Sequence, residues 1–334
     1  MNYQILLYGI VSFLIVYFIT PSLIKYLTKI SLIVKDQNKK NKPLVPISGG
    51  LAVLVGLFGG LLLFIFYRTF FVNMDVGLSA TDKNLMLLFA SMVSLLIITL
   101  VGFLDDIVIN KSKDHSAGLK QWQKPLLTLT AAVPLMVVNA GNSELWLPFL
   151  GVIDIGILYP LIFIPIGVVG ASNMVNMLAG YNGMETGMAI IYVGMLGLYA
   201  YTNIRYIAAL IALVTFFSLL AFYLYNKVPA KILPGDSLTY LLGATIAVIA
   251  IVGNLEKAAL ISAIPFFMEF VLKARSKFKA QSYGYYKNGK IKVDYKKIYS
   301  LPHIFARTGK YTEKQIVYLM FFIQIIFSSL IWLI

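Results

Sequence analysis

The sequence predicts an all-α integral membrane protein with about ten transmembrane helices. Of its 334 residues, 59% are hydrophobic and only 13% are charged, whereas soluble globular chains carry about 25% charged residues. Apolar runs longer than the roughly 18 residues typical of a membrane-spanning helix recur along the whole chain. The run 85–104 does not alternate in polarity as a membrane β-strand would. A water-soluble enzyme is therefore excluded, and we expect residues 1–334 to form one polytopic membrane domain.

Polar breaks between the apolar runs divide the chain into individual spans. The first run lacks a basic leader and a small-residue cleavage pattern, so we expect a retained span and no signal peptide. The segment 143–156 is short and interrupted by proline and glycine, and we expect it to be interfacial or re-entrant. The predicted spans lie near residues 3–24, 48–72, 84–104, 124–140, 157–178, 184–201, 206–225, 237–253, 256–272 and 316–334.

Lysine and arginine residues predict the orientation, because both are enriched in cytoplasmic loops. The loops 25–47, 105–124, 226–236 and 273–315 hold all of the 28 basic residues except Arg68, Lys83, Arg205 and Lys257. These loops are therefore predicted to be cytoplasmic, with both termini on the other side. Most of the net charge of +14 then lies on one face, where it would attract anionic headgroups or substrates. An ordinary solvated loop is the alternative for the lysine tract of 273–315, and we expect no nucleic-acid partner.

Two adjacent carboxylates, Asp105 and Asp106, end the third predicted span. At this position they repel each other and also oppose the helix macrodipole. A solvated helix terminus is the structural alternative. The double electrostatic cost favours instead a cation or a shared proton beside the pair.

A run of amides and glycines follows the fifth predicted span. Asn173 and Asn176 are three residues apart and share one helical face. Gly180 and Gly183 permit a tight turn that would carry Asn182 back over that face. Carboxamide oxygens suit Mg²⁺, which takes few protein ligands besides water and substrate phosphates. Hydrogen-bonded bridges between spans are the alternative, but three asparagines with two glycines favour a site.

Three further groups lie on the same predicted face. Asp236 begins the eighth span as a helix N-cap or as a metal ligand. Lys42 precedes the glycines of the second span, where cations and helix amides favour phosphate. His303 lies in the long loop, where a single histidine is more often structural than catalytic. Together these groups predict a Mg²⁺–diphosphate site at the membrane boundary and phosphoryl transfer to or from a lipid, with Lys124 or Lys42 neutralising the leaving phosphate.

Four segments and the basic loop carry a family resemblance. Residues 42–50, 102–106, 173–187 and 234–243 resemble the polyprenyl-phosphate N-acetylhexosamine-1-phosphate transferase superfamily in order and spacing. The run 176–185 is most similar to the archaeal and eukaryotic dolichyl-phosphate N-acetylglucosamine-phosphotransferases. The resemblance implies Mg²⁺-dependent transfer of N-acetylglucosamine-1-phosphate from UDP-N-acetylglucosamine to a polyprenyl (dolichyl) phosphate in the bilayer. UMP would be released, and the product would begin lipid-linked oligosaccharide assembly for N-glycosylation.

The resemblance also implies roles for single residues around the diphosphate. Asn176 and Asp236 would hold Mg²⁺, or Mn²⁺ in its place. Asp105 and Asp106 would place or deprotonate the lipid phosphate, and Lys124 would lie near the diphosphate.

The substrate contacts come from the turn after the fifth span and from the loops. Asn182 would lie near the uridine, while His303 and Arg307 would approach the sugar or the diphosphate. The residues that we expect to act in catalysis are Asp105, Asp106, Lys124 and His303. The residues that we expect to bind substrate are Lys42, Asn173, Asn182, Glu185 and Arg307.

Other functions are compatible with parts of the pattern. The long loop holds one histidine where the bacterial branch has a cluster, and Arg307 lies four residues beyond it where the eukaryotic branch has an arginine–histidine–arginine arrangement. Because the loop departs from both branches, another UDP-N-acetylhexosamine used for cell-envelope polymers is an alternative donor. A nucleotide-sugar or cation transporter should line a path through the midplane, whereas these polar motifs gather at one face. An intramembrane aspartyl protease would leave the asparagines unexplained, and the motif of phosphatidyl-alcohol transferases is absent from the sequence. A homodimer is left open.

Overall fold

The computed structural model describes residues 4–71, 82–108, 118–139, 143–147 and 151–334, which are mainly helical. The helices are α1 (Gln4–Lys29), α2 (Gly50–Phe71), α3 (Asp82–Val108), α4 (Gln123–Leu129), α5 (Val133–Val138), α6 (Ile164–Leu178), α7 (Met184–Thr202), α8 (Tyr206–Asn226), α9 (Gly235–Gly253), α10 (Glu256–Ser262), α11 (Ile264–Ala274), α12 (His303–Ala306) and α13 (Glu313–Ser329). The strands are β1 (Ile33–Lys35), β2 (Leu44–Pro46), β3 (Glu144–Leu147), β4 (Gly151–Asp154), β5 (Tyr285–Lys287) and β6 (Lys290–Lys292).

The predicted all-α membrane fold is confirmed. Within the described ranges, seven helices are long and apolar enough to cross a membrane: Ile5–Lys29, Gly50–Phe71, Lys83–Val108, Tyr159–Leu178, Tyr206–Asn226, Gly235–Gly253 and Glu313–Leu333. The other three predicted spans are also helical, as α4 with α5, as α7, and as α10 with α11. The last pair breaks at Ala263, ahead of Pro265, because proline cannot continue a helix ladder. The number of ten spans and the side of the termini stay predictions.

Helix α9 lies at the centre of the bundle, and almost every residue from Ser237 to Ile251 is buried. Glycines bring its neighbours close, because a Cβ atom at Gly102 of α3 would collide with the backbone of Asp236, and one at Gly243 would collide with α6 at Ala171. These close approaches place the end of α3 and the last turns of α6 against α9. We call this end of the bundle, where α3 and α6 end and α2, α4 and α9 begin, the site face.

Short antiparallel hairpins complete the fold. Strands β1 and β2 pair in the loop before α2, and β5 and β6 pair within the loop 273–315. In the segment 143–156, β3 pairs with β4 in a register from Glu144–Asp154 to Leu147–Gly151, a hairpin that the sequence analysis did not predict. Where this hairpin lies relative to the membrane stays a prediction. Buried contacts hold the long loop in place, since Glu269 Oε2 accepts a hydrogen bond from Leu301 N at 2.7 Å.

Candidate active site

The end of α3 caps the beginning of α9. Asp106 is fully buried, and its Oδ1 accepts a hydrogen bond from Asp236 N at 2.7 Å. Its Oδ2 accepts from Ser48 Oγ at 2.8 Å and from Ser237 N at 3.2 Å. A carboxylate that receives the free N–H groups of a helix N-terminus interacts favourably with the helix dipole. Gly235 permits this approach, because a Cβ atom there would collide with the Asp106 carboxylate.

Lys124, in the first turn of α4, lies between two carboxylates. Its Nζ is 2.6 Å from Asp105 Oδ2 and 2.8 Å from Asp236 Oδ2. Asp105 also accepts hydrogen bonds from Leu119 N at 2.6 Å and from the Tyr240 hydroxyl at 3.3 Å. Asp105 is buried, whereas the side chains of Lys124 and Asp236 are 22% and 23% exposed. The ammonium group is therefore held firmly and still opens toward solvent.

The last turn of α6 adds a carboxamide to this site. Asn176 Oδ1 accepts a hydrogen bond from Thr239 Oγ1 at 2.9 Å, and the same hydroxyl lies 3.3 Å from Asp236 O. We call Asp105, Lys124, Asn176, Asp236 and Tyr240 the Lys124 cluster. It joins α3, α4, α6 and α9, whose residues are far apart in the sequence.

Asn173 lies one turn earlier on α6 and has different partners. Its Nδ2 donates to Val169 O at 2.8 Å and to Thr128 Oγ1 at 3.2 Å. These contacts join α6 to α4, which is the bridging alternative for an asparagine inside a span. The role of Asn173 in substrate binding stays a prediction without a contact in its support.

In the turn after α6, Asn182 hydrogen-bonds to residues outside the Lys124 cluster. Its Nδ2 donates to Asp36 Oδ2 at 2.8 Å, and its backbone N donates to Glu313 Oε1 at 3.1 Å. The expectation that the turn carries Asn182 back over the asparagine face stays a prediction, and these bonds give it no support. Two buried carboxylates from distant segments accept its N–H groups instead. Glu185 stabilises the same turn, because its Oε1 accepts from Gly180 N at 2.5 Å.

His303 is buried, and backbone groups bond both of its ring nitrogens. Nδ1 accepts from Tyr299 N at 3.4 Å, and Nε2 is 2.9 Å from Gln281 O. The ring also stacks on Tyr295, with 5.0 Å between centroids. Burial lowers the pKa of His303 to about 4, so the ring is neutral near pH 7. These contacts describe a structural histidine and give no support to the predicted catalytic role.

Two predicted substrate-binding cations, Lys42 and Arg307, are exposed. Lys42 lies in a turn with a φ of 41°, and its backbone N donates to Lys39 O at 3.3 Å. Lys39, which the sequence analysis did not select, pairs instead with Asp36 at 3.3 Å and with Glu313. The substrate contacts of Lys42 and Arg307 stay predictions.

Comparison with known proteins agrees with this geometry. Residues 86–254 match the profile of the family described as glycosyl transferase family 4. The chain is also 37% identical to a protein of Saccharolobus solfataricus over 97% of this chain and 94% of that relative. The chain belongs to glycosyl transferase family 4. The predicted superfamily resemblance is thereby confirmed, and the protein is a membrane-bound phosphotransferase.

The names of the relatives differ between branches of family 4. The Saccharolobus protein is provisionally named a UDP-N-acetylglucosamine–dolichyl-phosphate N-acetylglucosaminephosphotransferase. A Dictyostelium discoideum protein with the same activity in its name is 24% identical over 92% of this chain and 83% of its own length. A phospho-N-acetylmuramoyl-pentapeptide-transferase of Lactiplantibacillus plantarum is 33% identical over 77% of this chain and 78% of its own length.

The donor set of this family 4 protein fits a hard divalent cation. Asp105, Asp236 and Asn176 offer carboxylate and carboxamide oxygens, the ligands that Mg²⁺ prefers. The ammonium of Lys124 already lies between the two carboxylates, so the cluster is built to hold positive charge. Across the described ranges, no group of three or more His, Cys, Asp or Glu forms a metal cluster.

Sequence reasoning missed several residues of the site face. Tyr240 lies four residues after Asp236 and therefore shares its helical face, a signal that could have been used. Ser48, Asp36 and Asn38 gave no such signal, because the partners that join them to other segments lie at least 58 residues away in the chain.

Proposed function

We propose that this family 4 protein transfers N-acetylglucosamine-1-phosphate from UDP-N-acetylglucosamine to a polyprenyl phosphate, with dolichyl phosphate as the expected acceptor. The observation that carries the proposal is the Lys124 ammonium held between Asp105 and Asp236, partly exposed, at the end of apolar helices. A cation there can meet a diphosphate from solvent while an acceptor arrives from the bilayer. The names of the archaeal and Dictyostelium relatives supply the donor and the acceptor.

The transfer needs little covalent help from the protein. An oxygen of the lipid phosphate forms a bond to the sugar-linked phosphorus, and the bond from that phosphorus to the bridging oxygen breaks. The bridging oxygen then leaves with UMP. A phosphomonoester has a second pKa near 6 and is already largely dianionic near pH 7. Positioning and charge neutralisation are therefore the main tasks of the site.

The Lys124 cluster is suited to both tasks. Lys124 would neutralise charge on the departing phosphate. Asp105 orients the ammonium and is itself held by Leu119 N and Tyr240. Asp236 and Asn176 are the proposed ligands of Mg²⁺, which would neutralise the diphosphate when bound.

The side of the membrane and the pathway complete the proposal. We place the site face in the cytoplasm, because the loops that join it carry nearly all basic residues. Nucleotide sugars would then reach the site directly. The product, a polyprenyl-diphosphate sugar, would be the first lipid-linked intermediate for N-glycosylation.

The test is transfer of label from the sugar of UDP-N-acetylglucosamine to dolichyl phosphate by the purified full-length protein, with Mg²⁺ or with EDTA. We expect lipid-extractable label and equimolar UMP only with the metal. Release of UDP would refute phosphate transfer. Label from UDP-N-acetylmuramoyl-pentapeptide or another UDP-N-acetylhexosamine alone would keep the mechanism and replace the donor, and inactivity with all donors and lipids would refute the proposal.

A matched pair of lysine variants tests the observation itself. Lys124→Met removes the ammonium and should lower kcat/KM at least about 100-fold, the size expected for losing one preorganised charge. Lys120→Met, which changes an exposed lysine four residues earlier, is the control and should stay within about twofold. Equal activity of the two variants would remove Lys124 from the reaction.

A further inference from the structure

Asn38 joins three separate segments of the site face. It lies in the loop between β1 and β2 and is only 2% exposed. Its Nδ2 donates to Gly180 O at 2.6 Å, and its Oδ1 accepts from Gly284 N at 3.2 Å. Its backbone N donates to Asp36 Oδ1 at 3.3 Å. The side chain therefore uses both donor and acceptor to hold the turn after α6 against the segment before β5.

The turn that Asn38 holds is directly continuous with the Lys124 cluster. Gly180 follows the end of α6 by two residues, and Ala179 N donates back to Asn176 O at 3.2 Å. Asn176 in turn accepts a hydrogen bond from Thr239, whose hydroxyl lies 3.3 Å from Asp236 O. With so few residues between them, a displaced Gly180 would shift the Asn176 carboxamide as well.

The loop that carries Asn38 is anchored by buried charges. Lys39 Nζ lies 3.3 Å from Asp36 Oδ2 and also pairs with Glu313 at the beginning of α13. Asp36 and Glu313 both accept hydrogen bonds from Asn182 in the same turn. Charge-assisted bonds of this kind are stronger than neutral ones, so the loop is a fixed base for the Asn38 side chain.

We propose that Asn38 is a positioning residue for the transfer reaction, which it serves by keeping the Asn176 end of α6 aligned with Asp236 and Lys124. The inference rests on the proposed function. Asn38 acts through the Gly180 carbonyl and not through contact with substrate. Aspartate has nearly the same shape and would still accept from Gly284 N, but it would present an oxygen to Gly180 O. Asn38→Asp therefore removes the hydrogen bond to Gly180 O and keeps the one from Gly284 N.

The experiment compares Asn38→Asp with Asn139→Asp. Asn139 is 3% exposed and donates its Nδ2 to a backbone carbonyl, Leu135 O, at 2.8 Å, so the chemical change is the same at another place in the fold. We measure kcat and KM for the donor, the melting temperature, and amide hydrogen exchange over residues 177–187. Asn38→Asp should lower kcat about tenfold or more and speed exchange in that segment, while Asn139→Asp changes both less than about twofold.

Each outcome decides the inference. Unchanged kcat, or unchanged exchange over 177–187 in Asn38→Asp, would overturn it. Asn38→Ala is the second variant, because it removes both side-chain hydrogen bonds, to Gly180 O and from Gly284 N, without adding a charge. Loss of the folded state in both would make Asn38 a general stability element and would also overturn the inference. A wild-type protein without transfer activity would refute the proposed function instead, and the exchange comparison would still show whether Asn38 holds the turn.

Discussion

Asp106 offers the sharpest test of the site, because its contacts indicate a structural role whereas the family resemblance implies a catalytic role. Its carboxylate accepts three hydrogen bonds, two from the first N–H groups of α9 and one from Ser48. Asp106→Asn keeps the shape but removes the charge and replaces one acceptor by a donor that faces N–H or O–H groups. We expect the variant to have a lower free energy of unfolding and a less stable first turn of α9.

The size of the loss follows from these contacts. Hydrogen bonds to charged groups contribute about 1.5–3 kcal/mol each, and a helix cap contributes about 1 kcal/mol. With one acceptor retained, the loss should be about 2–4 kcal/mol, which at roughly 2–4 °C per kcal/mol lowers the melting temperature by about 4–16 °C. Ser48→Ala removes only one donor and should lower it by a few degrees, in line with about 1 kcal/mol.

The assay is thermal unfolding in detergent together with UMP release at saturating substrates. Asp294→Asn, at a carboxylate that is 69% exposed, is the control and should leave the melting temperature unchanged. A melting temperature of Asp106→Asn within about 2 °C of the wild type, together with complete loss of turnover, would refute the capping argument. It would favour the contact with lipid phosphate that the resemblance implies.

Three further predictions concern the acid, the cation and the histidine. Asp236→Asn should abolish UMP release at an unchanged melting temperature, because the Asp106 cap persists while Lys124 loses a partner; full activity would remove Asp236 from the site. Lys42→Ala should raise KM for an anionic substrate about two- to tenfold without abolishing turnover, and unchanged KM values would contradict its role. His303 has a folded pKa of about 4 against 6.5 when unfolded, so stability is complete above pH 6.5 and falls as the pH drops toward 4. The loss amounts to at most about 3 kcal/mol, and acid unfolding of His303→Phe should lack this slope.

The membrane helices could be predicted from the sequence because hydropathy is a local property. Each apolar run buries itself in lipid or against a neighbour whatever the tertiary arrangement, and the predicted runs are helical in the structure. The hairpin of β3 and β4 was not predicted, because two strands of four residues are too short for a clear alternating pattern.

The sequence predicted many of the residues of the candidate site but not which of them contact each other. Lys124 and Asp236 are 112 residues apart, and no sequence pattern indicates that they meet. The partners of Asn182 were not predicted for the same reason, since the carboxylates of Asp36 and Glu313 lie 146 and 131 residues away. Local chemistry shows that a buried polar group needs a partner, whereas only the fold decides which one.

The adjacent carboxylates at the end of α3 show how the fold resolves a conflict in the sequence. Their repulsion predicted a cation or a shared proton between or beside them. Successive residues of a helix point about 100° apart, so Asp106 can face the N–H groups of α9 while Asp105 faces Lys124. The Lys124 cation lies beside Asp105, whereas Asp106 is stabilised by N–H and O–H donors. It follows that the two substitutions should have different effects. Asp105→Asn should mainly lower kcat, whereas Asp106→Asn should mainly lower the melting temperature. Asp105→Asn should therefore have the lower kcat of the two variants, and Asp106→Asn the lower melting temperature.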